Sequence, residues 1–158
     1  MPKAKVTTNA INEYLQIIRS LGENADDVVK KAVYEGSAII ANQVSANISA
    51  IPIDESWGTE SNPKNGITSV EKAGLQDSFG IADMQDDNGF INTLIGFQQP
   101  DYNANGKANI MIARATQSGT SFSRKIPFFA NALRATRGQA RERMVQVAEE
   151  EFKKLSKG

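Results

Sequence analysis

The most regular apolar pattern in the chain is PFFANALRATRGQARERMVQVAEEEFKKL, residues 127–155. Apolar or small side chains recur there every three or four positions, which is the spacing of one face of an α-helix. This face comprises Phe129, Leu133, Thr136, Ala140, Met144, Val147, Phe152 and Leu155. Pro127 fits the first helical position, where its missing N–H is not needed. The pattern predicts a helix of about 28 residues, about 42 Å long at 1.5 Å per residue.

Two further helices are predicted before this one. Residues 9–22 carry Ile11, Leu15, Ile18 and Leu21 at helical spacing, and Gly22 follows as a stop signal. Residues 26–48 carry a longer apolar stripe, formed by Val29, Val33, Gly36, Ile40, Val44 and Ile48. A glycine in this stripe costs ~1 kcal/mol of helix propensity. Gly36 therefore either marks a close crossing with another element or has no structural meaning.

The middle of the chain carries strand signals. The segments FINTLIGF (90–97) and NIMIARA (109–115) are rich in strand-forming residues. Asn88-Gly89 precedes the first of them, and Asn-Gly readily adopts the positive φ values of a hairpin turn. With a first strand near 76–84, the simplest arrangement is a three-stranded antiparallel meander. The predicted fold class is α+β: a small three-stranded antiparallel meander packed with two N-terminal helices and one long C-terminal helix, in a single domain spanning 1–158.

Residues 49–68 differ in character from both flanks. The segment SAIPIDESWGTESNPKNGIT contains two prolines, two glycines and many polar residues, which predicts a long flexible loop. Loops of this length are uncommon in compact domains unless they are functional or disordered. The loop carries Trp57, the only tryptophan. This side chain either folds back on its own domain or contacts a neighbouring subunit, since tryptophan is enriched at interface hot spots.

Composition narrows the possible functions. The 158 residues include 18 acidic and 18 basic side chains and neither cysteine nor histidine. A Ser-His-Asp triad, a cysteine nucleophile and a typical zinc site are therefore excluded. The acidic run 83–89 lacks an EF-hand pattern, because Met84 and Ile95 stand where the first and last carboxylate ligands belong. We expect no enzyme activity, no cofactor and no small-molecule substrate. No apolar run approaches the ~20 residues that span a bilayer, so we expect no membrane partner.

Three arginines stand beside the apolar face of the last predicted helix. Arg134, Arg137 and Arg141 are spaced i, i+3 and i+7, which places them on one side of the helix. Such a stripe could bind a neighbouring subunit, contact DNA phosphates or remain solvated.

The last predicted helix is also longer than a three-stranded sheet can cover. We expect residues 129–140 to pack on the sheet of their own chain and residues 144–155 to pack on an adjacent subunit. Leu133 should then matter for folding, and Phe152 for assembly. The predicted subunit interface comprises Trp57, Arg134, Arg137, Arg141, Met144, Val147, Phe152 and Leu155.

Several segments together resemble a known family. They are the helix VVKKAVYEGSAIIANQVSANI (28–48), the polar loop after it, Gly119-Thr120-Ser121, and the helix start formed by Pro127, Phe128, Phe129, Ala132 and Leu133. The chain then closes on a long charged amphipathic helix. Over about residues 25–155, the sequence resembles the tail-component family of long-tailed bacteriophages, whose members act in tail completion or head–tail joining.

The resemblance implies a structural virion protein. It implies an α+β subunit that forms a homo-oligomeric ring around the DNA channel, at the phage neck or tail end. Its neighbours would be connector, tail-terminator or tail-tube proteins, with non-specific contact to packaged DNA as a further possibility. Assembly would take place in the host bacterial cytoplasm. The alternative expectation is a DNA-binding accessory protein that uses the stripe formed by Arg134, Arg137 and Arg141.

Overall fold

The computed structural model describes residues 24–157, so the predicted helix at 9–22 lies outside the described residues. Helix α1 spans Asn24–Ser49, α2 Ser69–Ser78, α3 Asn109–Ser118 and α4 Phe128–Lys157. The four short strands are β1 (Phe79–Ile81), β2 (Gln85–Asp87), β3 (Phe90–Asn92) and β4 (Ile95–Phe97). The α+β class is confirmed, as are the helix predicted at 26–48 and the long C-terminal helix.

The two long helices form an antiparallel pair. Near the start of α1, Val28 shares a cluster with Phe152 of α4, whereas near its end the Asn47 side-chain Nδ2 donates to the Phe128 carbonyl at 2.9 Å. At the centre, a β-carbon added to Gly36 would lie 3.0 Å from the Ala140 carbonyl oxygen and would overlap the Met144 side chain. Gly36 thus marks a close helix crossing.

The main core lies at the end of this pair where α1 stops and α4 begins. Val44 and Ile48 of α1 meet Phe128 and Ala132 of α4 there, together with Leu75 from α2. Aromatic rings complete the core: Phe97 lies 6.3 Å from Phe128 between ring centroids, in an edge-to-face arrangement. The core is therefore aliphatic with an aromatic margin.

The strands form a single interrupted hairpin. β1 pairs with β4 and β2 pairs with β3, both antiparallel, and Asn88 and Gly89 form the connecting turn with φ values of 56° and 92°. The Ala82 amide donates to the Leu94 carbonyl at 2.8 Å, and the ladder resumes at Gln85. Asp83 and Met84 therefore face Thr93 alone, which is a β-bulge. The predicted Asn-Gly turn is confirmed.

The predicted third strand at 109–115 is wrong, because these residues belong to α3. The run Asn109-Ile110-Met111-Ile112 has the composition of a strand, but the buried residues of the segment are Asn109, Ala113 and Thr116, which follow helical spacing. Short apolar runs do not distinguish strand from helix by composition alone. The meander is accordingly a two-stranded hairpin.

The chain enters this hairpin through α2. Thr68 caps the helix: its hydroxyl accepts from the Glu71 amide at 3.1 Å, and the Glu71 carboxylate accepts from the Thr68 amide at 2.9 Å. This reciprocal capping box satisfies two amides that the first turn would otherwise leave unpaired. The start of α2 is thus fixed by local side-chain chemistry.

Candidate subunit interface

The segment 49–68 is held by a carboxylate at its centre. Asp54 accepts hydrogen bonds from the Ser56 hydroxyl at 2.5 Å, the Ser56 amide at 2.9 Å and the Asn65 amide at 2.9 Å. These donors favour the charged form and lower the pKa of Asp54 to about 2, with the Ser56 hydroxyl contributing most. The carboxylate therefore ties together two parts of the segment that are eleven positions apart in sequence.

Further contacts tie the same segment to its surroundings. The Glu55 carboxylate accepts from the Ser69 amide at 2.8 Å, which also lowers the Glu55 pKa. The Lys64 amide donates to the Phe122 carbonyl at 3.0 Å, and the Arg124 amide donates to the Lys64 carbonyl at 2.9 Å. The segment has no helix or long strand, as predicted for a loop, but it is attached on two sides. Its mobility stays a prediction.

Trp57 projects from this attached segment into solvent. Its exposed fraction is 94%. Because the backbone around it is held by Asp54 and Lys64, the indole is presented outward by a defined loop. The interpretation in which Trp57 folds back on its own chain is therefore wrong. Contact with a neighbouring subunit stays a prediction.

The arginine stripe lies on the solvent side of α4. Arg134, Arg137 and Arg141 are all exposed, and none of them forms an ion pair with any residue in the range 24–157. Arg143 instead bonds the Glu35 carboxylate of α1 at 2.5 Å. The three stripe arginines are thus available to a partner.

The second half of α4 departs from expectation. Val147 is 2% and Phe152 is 9% exposed, and Leu155 packs beside Phe152 on Val28 of α1. Met144 lies against Gly36 at the helix crossing. The expectation that residues 144–155 need a second subunit for cover is wrong, because α1 is nearly as long as α4 and runs beside it. The expectation that Leu133 packs in the core of its own chain is also wrong, since 42% of the residue is exposed.

Leu133 belongs to an apolar groove that sequence reasoning missed. The groove has a volume of about 460 Å³ and lies between β4, α3 and the start of α4. Ile95, Ile110, Phe129 and Leu133 contribute its apolar walls, and Arg114 stands at its side. No sequence signal marks the groove, since it forms only because 109–118 folds as a helix facing β4.

The hairpin carries the other missed surface. Phe90 is 78% and Leu94 is 70% exposed. Because side chains alternate along a strand, both lie on the face shared with Gly96, opposite the half-buried Ile91 and Ile95. The alternation in FINTLIGF could have shown that two large apolar residues share a face, but not that this face lacks cover.

Comparison of the chain with protein families, characterised proteins and solved structures finds no match. Among residues 24–157, no group of three or more His, Cys, Asp or Glu side chains is arranged to hold a metal ion. Within that same range, no helix is long and apolar enough to cross a membrane.

Proposed function

We propose that this chain is a structural virion protein, one copy in a ring at the neck or tail end of a long-tailed bacteriophage. It would act in tail completion or head–tail joining, beside connector, tail-terminator or tail-tube proteins, after assembly in the host bacterial cytoplasm. The resemblance of residues 25–155 to the tail-component family points to the phage. The role as an assembly subunit rests on a separate, physical argument.

Trp57 is the observation that carries the assembly role. A tryptophan in contact with water forgoes about 1.5–3 kcal/mol or more of hydrophobic stabilisation that burial would supply. Here the indole is 94% exposed on a loop whose backbone is bonded on both sides. A partner surface that covers the indole would recover this free energy without reorganising the loop. The proposal assigns the chain no catalytic step.

A phage that encodes this chain provides the test. A nonsense mutation in its gene should yield filled heads and separate tails in electron micrographs of lysates, and the wild-type chain supplied in trans should restore joined particles. The Trp57→Ser chain should fold but restore few of them. Tyr34→Ser is the matched control, since Tyr34 is another exposed aromatic residue at 55%. Normal tailed virions from the nonsense mutant would disprove the proposal.

The rival function is DNA binding through Arg134, Arg137 and Arg141. The observation in its favour is that all three guanidinium groups are exposed and form no ion pair among the described residues. Binding to duplex DNA would weaken steeply with salt, with a slope of about −0.9 for each phosphate contacted. Changing all three arginines to serine should then reduce that slope by about 2.7. Under the structural proposal, the wild-type chain binds duplex weakly and the triple variant instead loses incorporation into particles.

A further inference from the structure

The outer face of the hairpin is apolar and has an acidic margin. Phe90 and Leu94 project from it with exposed fractions of 78% and 70%. Asp83 lies at the bulge and Asp87 at the end of β2, and both are exposed. Neither carboxylate forms an ion pair with any residue of the described range. This surface, called here the hairpin face, combines uncovered apolar area with uncompensated negative charge.

The groove between β4, α3 and α4 has the opposite charge at its margin. Phe129 and Leu133 line it, and Arg114 stands among its lining residues. Arg134 follows Leu133 directly, and Arg137 lies one helical turn beyond. The three arginines are exposed and free of ion pairs within residues 24–157. This surface is called here the arginine-rimmed groove.

The hairpin cannot fill the groove of its own chain. Ile95 and Phe97 form one wall of the groove, whereas Phe90 and Leu94 continue beyond that wall on the same strand pair. Because side chains alternate along a strand, Phe90 and Leu94 lie on the face opposite Ile95 and Phe97 and are turned away from the groove. The hairpin face can therefore enter a groove of this kind only in another copy of the chain.

We propose that the hairpin face of one copy of this chain docks in the arginine-rimmed groove of a second copy. Phe90 and Leu94 enter the apolar groove beside Leu133, and Asp83 and Asp87 meet Arg134 and Arg137 at the margin. Two kinds of complementarity coincide, because apolar surface meets apolar surface and three exposed arginines meet an acidic margin. Complementary charges of this kind fix partner and register more than raw affinity.

The contact joins two different surfaces, so it repeats from copy to copy. Such a heterologous contact closes into a ring when its rotation divides a full turn, and otherwise extends as a filament. The contact adds detail to the proposed function. It rests on that function only because it requires copies of the chain to associate with one another. It names which surfaces join neighbouring subunits, and it assigns Arg141 no part in the groove contact, because Arg141 lies a further turn along α4.

Charge exchange tests this contact in the full-length chain. One variant carries Asp83→Arg and Asp87→Arg, and the other carries Arg134→Asp and Arg137→Asp. Each alone should weaken self-association on the order of tenfold or more at low salt, because like charges then face each other across the contact. The equimolar mixture should restore assembly, since each altered hairpin face then meets a complementary groove. Sedimentation velocity over a concentration series measures all three samples.

Matched controls separate this result from misfolding. Lys30→Glu combined with Lys107→Glu alters charge to the same extent at two exposed positions that belong to neither surface as defined above, and should leave self-association unchanged. Circular dichroism checks that each variant keeps its helices. Restoration in the mixture would not occur if either variant were unfolded.

The outcomes also distinguish this contact from the phage role. A wild-type chain that stays monomeric at all concentrations, or an assembly insensitive to both charge reversals, overturns the contact. So does failure of two folded variants to restore each other. If charge exchange succeeds but the nonsense mutant still forms normal virions, the contact stands and the phage function falls. If the nonsense mutant lacks joined particles but charge reversal has no effect, the function stands without this contact.

Discussion

Truncation of Phe152 should destabilise the isolated subunit more than truncation of Leu133. Phe152 is 9% exposed and packs with Val28 and Leu155, so Phe152→Ala removes a buried ring from a small cluster. Buried Phe→Ala changes cost about 3–5 kcal/mol, and the cluster's position at a helix end favours the lower figure. Leu133 is 42% exposed beside an open groove, so Leu133→Ala should cost about 1 kcal/mol. This order is the reverse of the one expected from sequence alone.

Urea unfolding followed by circular dichroism measures both changes. The work should be done at a concentration where sedimentation shows monomer, because self-association would add stability to the wild type and to some variants. A loss of about 3 kcal/mol corresponds to a melting temperature about 6–12 °C lower for a chain of this size. An equal or larger loss for Leu133→Ala would falsify the packing of α4 on α1 described here.

Two further expectations concern the helix crossing and the attached loop. Gly36→Val should destabilise the chain by about 1–3 kcal/mol, because the new side chain would overlap Met144 and press on the Ala140 carbonyl; an unchanged urea midpoint would show that the helices are not in close contact there. Asp54→Asn should accelerate amide hydrogen exchange at Asn65 at pH 6. The folded pKa of Asp54 is about 2 and that of an unfolded aspartate about 3.9, so wild-type protection due to this carboxylate should be complete above about pH 4 and lost as pH falls toward 2. A protection factor at Asn65 that is the same in both chains and independent of pH would contradict this role.

The long helices were predictable because their apolar residues recur at helical spacing over many turns. The stripe from Val29 to Ile48 predicted α1, although the structure buries Val28 and Ala32 and leaves Val29 36% exposed. The buried face of this part of α1 is thus turned relative to the predicted stripe, because α4, rather than the sheet, covers the first half of α1. The turn at Asn88-Gly89 was predictable because its backbone geometry depends on two adjacent residues.

The wrong predictions concern features that depend on contacts between residues distant in sequence. The composition of residues 109–115 favours a strand, and only burial against the core shows that Ala113 and Thr116 share a helical face. The burial of Phe152 by α1 could not be predicted without knowing that the two long helices lie antiparallel and side by side. For Trp57 the sequence left two alternatives open, and only the structure shows that the side chain is exposed. The groove at Leu133 was not predictable either, because it depends on three elements meeting.

The unequal ends of the antiparallel helix pair have a consequence for local unfolding. At one end α1 and α4 join the main core through Ile48 and Phe128. At the other end the apolar contact is a small cluster around Val28 and Phe152, beside the exposed ion pair of Lys31 with Glu151. Between the two, small residues such as Gly36 and Ala140 form the contact. Opening the far end therefore exposes less apolar area than opening the core end, so the far end should fray first while the core end remains folded. Limited proteolysis of the monomer should accordingly cut α4 first beyond Val147 and leave a resistant fragment that retains the hairpin and the groove.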